Sequence, residues 1–168
     1  MRRMIGIVLF VFLSSMVMNA QNEKVKALFI YNFIKNVEWP QDNAQGDLII
    51  GVLGSNVMKG ELESLTSTQR VGNQAIKVKV FSTPEEVANC HVLYVSPGKS
   101  GQIANLSSKL NNHSTLIISD GRNGIAQGAG INFTINDDKL KFEISKNRIE
   151  QHGMKVSSNL VKMGIEVM

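Results

Sequence analysis

Four times along this chain, a stretch with helical spacing of apolar residues gives way to a short apolar run. The helical stretches are 23–37, 57–66, 83–89 and 100–111, and the runs are Asp47–Gly54, Ala75–Phe81, His91–Ser96 and Ser114–Asp120. Most of the runs are apolar at consecutive positions, which suits strands covered on both faces. Ala75–Phe81 differs, because Lys77 and Lys79 alternate with Ile76, Val78 and Val80 and leave one face wetter. Regular alternation of this kind predicts a mostly parallel sheet with helices on both faces. The pattern changes after residue 130. Ile131–Asn136 and Leu140–Ser145 alternate in polarity across Asp137-Asp138, as a hairpin does, and helical stretches follow at 146–152 and 157–163. The expectation is one α/β domain, with a C-terminal antiparallel hairpin added to the parallel sheet.

Local signals sharpen several boundaries. Val25, Leu28 and Phe29, widened by Ile30, Ile34 and Val37, give the first helix a broad apolar stripe. Pro40 stops it and forces Trp39 out of helical geometry. Thr83-Pro84-Glu85-Glu86 reads as a helix start, with Thr83 as cap and Glu86 as the capping-box acid. Gly121, Gly124, Gly128 and Gly130 crowd into a loop that demands unusual backbone angles.

The chain begins with Arg2 and Arg3, an apolar run of about 14 residues from Met4, and the small residue Ala20. This predicts a secretory signal peptide over 1–20 and a single exported domain over 21–168. The run falls short of the ~20 apolar residues of a spanning helix. Two of the 18 basic residues lie in that segment, which leaves 16 against 14 acidic ones. So mild a charge, without a basic stripe, argues against nucleic acid as a partner. Cys90 is the single cysteine and sits before the apolar Val92-Leu93-Tyr94-Val95, so a buried, inert thiol is expected.

Patterns that suggest catalysis fail on physical grounds. Ser96-Pro-Gly98-Lys99-Ser100 lies where a phosphate loop would, but Leu93 occupies the position of its first glycine. Gly128-Ala-Gly130 leads into a strand, so no helix N-terminus faces a would-be pyrophosphate. His91, His113 and His152 show no paired ligand spacing, so neither a metal nor another cofactor is expected. Asp120 ends a strand, where α/β folds place ligands; its plain alternative is to accept a turn hydrogen bond. Tyr31 and Trp39 stand in an aromatic cluster with Phe29 and Phe33, and each has a polar edge suited to an interface. Core packing is the alternative for both.

One set of segments is more specific than any of these. It comprises Lys26-Ala-Leu-Phe-Ile-Tyr-Asn-Phe-Ile-Lys35, Val37-Glu-Trp-Pro40, Ile50-Gly-Val-Leu-Gly54 and Cys90-His-Val-Leu-Tyr94. Leu116-Ile-Ile-Ser-Asp120, Gly128-Ala-Gly-Ile-Asn-Phe133, Leu140-Lys-Phe-Glu-Ile144 and Ser157-Ser-Asn-Leu160 continue it. In order and spacing these resemble the YfiR family of exported bacterial regulators. The resemblance implies a periplasmic α/β domain without enzymatic activity. It would repress a membrane signalling protein, of the diguanylate cyclase or histidine kinase type, by contacting its periplasmic part. Control of cyclic di-GMP and biofilm formation, and a homodimer, are implied in the same way. In disulfide-bonded relatives a cysteine pair flanks the glycine turn near Ile125 and Asn132; neither is cysteine here, so a redox switch through that bridge is not expected.

Two readings follow. The first is a regulatory binding protein whose partner contacts include Tyr31, Trp39, Asp120, Arg122, Gly128 and Gly130. The second is a small-ligand receptor with its cleft near Gly54, Ser96 and Asp120.

Overall fold

A helix, α1 (22–35), opens the described part of the computed structural model, which covers residues 22–41 and 45–168. The expected signal segment lies outside those residues. There follow β1 (Val37–Glu38), β2 (Leu48–Leu53), α2 (Asn56–Thr66), β3 (Arg70–Val71), β4 (Gln74–Phe81) and β5 (Val92–Val95). A 3-10 stretch (Pro97–Gln102) runs into α3 (Ile103–Lys109), and then come β6 (Leu116–Ser119), α4 (Gly124–Gln127), β7 (Ile131–Asn136) and β8 (Lys139–Ile144). The chain closes with α5 (Lys146–Gln151), β9 (Lys155–Val156), α6 (Ser158–Met163) and β10 (Ile165–Glu166).

The main sheet has the order β10-β8-β7-β6-β5-β2-β4-β3. Its five central strands, β4 to β7 through β2, pair in parallel, as their two-sided apolar character predicts. The β7–β8 hairpin is antiparallel, and Asp137 and Asp138 both take positive φ in its turn, the geometry that matches strand twist in two-residue loops. The hairpin does not end the sheet. β10 pairs in parallel outside β8, an edge too short to be visible in sequence.

Side chains alternate between the two faces of the sheet, and two core clusters result. On one face Ala27, Ile30, Phe33 and Ile34 of α1 meet Tyr94 and Ile118 of the sheet, with Leu62 and Leu160 from α2 and α6 in the same cluster. On the other face Ile103 and Leu106 of α3 cover Leu53, Leu93, Val95 and Ile117. Helices on both faces of one domain are therefore the observed arrangement.

The first helix is shorter and turned differently from its expected form. It buries Ala27, Ile30, Phe33 and Ile34, while Val25 and Leu28 are exposed at 38% and 48%. Four aromatic rings set this rotation. Phe33 lies 4.7 Å from Phe142, edge to face, and Phe29 and Phe33 both reach Phe133. Val37 leaves the helix to pair with Val156, because Asn36 turns the chain and accepts from the Ser157 N–H and hydroxyl. The segment 83–89 also differs, holding only a 3-10 turn at Pro84–Glu86. The Thr83 hydroxyl caps nothing, and the Glu86 carboxylate accepts from the Ser82 N–H at 2.8 Å. Burial of Val87 in extended conformation draws the chain into the core before a helical turn can close.

Because Phe33 is wholly buried among three other rings, Phe33→Ala is expected to lower stability by ~3–5 kcal/mol. Urea unfolding monitored by circular dichroism checks it, and a loss under 1 kcal/mol would contradict this placement of α1.

Candidate binding site

A parallel sheet with this order has a natural crevice where the chain reverses direction, here between the ends of β2 and β5. Gly54 and Ser96 mark that point, but it is filled. A Cβ on Gly54 would stand 2.6 Å from both the Lys99 stem and the Ser96 hydroxyl. The 3-10 stretch after β5 thus folds back over the switch point. The open space lies further along the same sheet edge, a cleft of about 980 Å³ between α1, the 120–123 loop and the β7–β8 hairpin. Asp120 lines it, whereas Gly54 and Ser96 do not.

Strand β6 delivers Asp120 to the cleft, and α1 delivers Lys26. Lys26 Nζ donates to Asp120 Oδ2 at 2.5 Å and to Glu23 Oε1 at 3.0 Å. The Tyr94 hydroxyl, rising from wholly buried β5, donates to the same Asp120 oxygen at 2.7 Å. So Asp120 is not a turn acceptor; it joins α1 to the sheet. Burial alone would lower the Lys26 pKa, but the hydrogen bonds and charges of Asp120 and Glu23 outweigh it and hold the ammonium above its usual value. Burial first, and the neighbouring carboxylates second, push the Tyr94 phenol well above its usual range. Both groups are therefore locked in their protonated forms at neutral pH, which makes them structural donors and poor proton shuttles.

Beside this network a polar row crosses the sheet. Ser119 of β6 is paired in register with Asn132 of β7, and Asn132 with Glu143 of β8. Asn132 Nδ2 donates to Glu143 Oε2 at 2.8 Å. Gly124 fits over this row only because it has no side chain; a Cβ there would sit 2.5 Å from Asn132 Oδ1 and from the Ser119 hydroxyl. Arg122 projects from the loop into solvent at the cleft, with no ion pair among the described residues.

Of the residues expected to meet a partner, Asp120 and Arg122 come together here, and the others are elsewhere. Tyr31 is half-buried on α1, donating to Gln69 Oε1 at 2.9 Å with Lys35 Nζ 5.3 Å from its ring centre. Trp39 lies at the opposite sheet edge, where its Nε1–H donates to the His91 carbonyl at 3.2 Å and its ring meets the His91 ring edge-on. Gly128 takes a φ of +116° at the end of α4 against Ser107, and Gly130 leaves room for Ile149. Cys90 is buried and free, its thiol pushed up to about 12 by burial. Two members of the site were missed from sequence, Lys26 and Tyr94. Lys26 precedes Ile30 by four and Phe33 by seven, on the buried face, and a tyrosine inside a two-sided apolar strand needs a partner for its hydroxyl.

A family model described as YfiR/HmsC-like matches residues 23–164. The chain belongs to the YfiR/HmsC-like family. That family is one of periplasmic regulators rather than enzymes, associated with control of diguanylate cyclases. No curated protein matches the chain. The match runs from Glu23 of the Lys26 network to Gly164, so it takes in the cleft and every strand that lines it. Among the described residues no helix is long and apolar enough to cross a membrane.

The Tyr94–Asp120–Lys26 network has a pH signature. Free tyrosine and lysine lose their protons near pH 10.0 and 10.5, and in the fold both keep them longer. The unfolded chain therefore releases protons first, so stability is intact below about pH 10 and falls as pH rises further. Tyr94→Phe takes the phenol out of this balance. The variant should lose about 1 kcal/mol at neutral pH and show a shallower decline between about pH 10 and 12. Urea titrations at stepped pH distinguish the slopes; identical alkaline slopes would remove Tyr94 from the linkage.

Proposed function

We propose that this exported protein docks on the periplasmic part of a membrane diguanylate cyclase and holds the cyclase in its inactive state. The observation that carries this reading is the family match, which runs through the whole folded core. The chemistry of the cleft agrees with it. Asp120 bonds Lys26 and Tyr94 inside the fold, which leaves Arg122 as the exposed charge at the cleft.

Repression through docking is a population shift, so the protein must favour one receptor state over the other. Moving an evenly balanced receptor to about 99:1 takes roughly a 100-fold preference. Asp120 and Arg122 are the contacts assigned to the cleft, and Tyr31 supplies a second, half-exposed contact on α1. Trp39, Gly128 and Gly130 contribute by shaping the sheet edge and the loop that leads into β7.

Deleting the gene should raise cellular cyclic di-GMP, and restoring the wild-type protein should lower it again. The cyclase should copurify with the tagged protein from the envelope. Cyclic di-GMP unchanged by deletion, under conditions in which the protein is made, would sink the proposal.

A further inference from the structure

Strand β6 pairs with β7 only at Ile118–Ile131 and Ser119–Asn132, because the chain turns away at Asp120-Gly121. β7 itself continues to Asn136, paired there with β8 alone. Within its last four residues the backbone groups of Phe133 and Ile135 point away from β8, toward the space that β6 has vacated. That space is the cleft, which has the 120–123 loop on one side and residues 132–135 on the other.

We infer that this edge of β7 receives an extended segment of the partner protein as an added strand. The inference rests on the docking reading above and gives it a geometry. A strand edge offers backbone donors and acceptors at a regular repeat, and only another polypeptide backbone matches that repeat. Four residues of edge span ~13 Å, enough for a short recognition segment. The flanking side chains call for alternation in the added strand. Phe133, Ile135 and Leu140 form an apolar wall on one side, with Ile135 62% exposed. Asn132, Thr134 and Glu143 form a polar wall on the other.

Charge selects further. The Asp120 carboxylate is already bound to Lys26 and Tyr94, whereas the Arg122 guanidinium is exposed and unpaired among the described residues. The segment that fits therefore carries an acidic residue toward Arg122 and an apolar one toward Ile135 and Leu140. The longer uncovered edge, on β4 beyond β3, carries the exposed Lys77 and Lys79, which disfavour strand addition there.

The test is amide hydrogen exchange on the ¹⁵N-labelled mature protein, with and without the periplasmic domain of the cyclase whose output it lowers in cells. Binding should slow exchange by about tenfold or more at Ile135, whose N–H points away from β8, while Thr134 and Asn136, which face β8, change little. Arg122→Glu should weaken binding by about tenfold while core amides exchange as before. Tight binding with residues 133–136 unchanged would overturn strand addition and leave docking standing. No binding at all would remove the docking reading and this inference with it. Protection that appears on concentrating the protein alone would assign the edge to a second copy of the chain, and would equally overturn it.

Discussion

The Lys26–Asp120 pair fixes where α1 lies, and much else depends on that. The helix carries the largest share of the aromatic cluster, and the cluster forms only when the helix is seated along the sheet with Phe29 and Phe33 over Phe133 and Phe142. A mostly buried ion pair is not a strong source of net stability, because desolvation offsets much of the attraction. Its value is in register. Sliding α1 by one turn would leave a buried carboxylate facing only a tyrosine hydroxyl, and the lysine with only Glu23 of its own helix.

The other end of the helix is held by different means. Asn36 links to Ser157, β1 pairs with β9, and Trp39 closes over the start of β5 through the His91 carbonyl. The two ends of the sheet thereby acquire different characters. The N-terminal edge is tied by an indole and a two-stranded ribbon; the C-terminal edge has a charged anchor with a cleft beside it. Trp39, read alongside Tyr31 as an interface candidate, belongs to the closed edge. Its indole N–H is satisfied within the chain, and its exposure is partial.

Most of the architecture could be read from polarity patterns. The four alternations and the terminal hairpin were legible because each apolar run is long enough to declare a period. The strands β1, β3, β9 and β10 were not, since two residues carry no period at all. The helix at Gly124–Gln127 was hidden inside a glycine-rich stretch that reads as loop, although Gly124 is there for lack of space and not for unusual φ. The site was half legible. Asp120 was marked by its place at the end of a strand and Arg122 by its neighbourhood, but the partners of Asp120 lie 26 and 94 residues away in the chain. Long-range pairing of that kind leaves only an indirect trace, a charged or phenolic residue on an otherwise apolar face.

The two-residue strands β3 and β10 have a consequence for association with other chains. An eight-stranded sheet presents two outer edges, and long flat edges recruit other chains into aggregates. Here β3 and β10 cover only two residues each of β4 and β8, and the uncovered length of β4 carries the exposed Lys77 and Lys79, charges that discourage edge pairing. The edge of β7 has no lysine to guard it and lies instead recessed between a loop and a helix, so that any strand added there would have to fit between them.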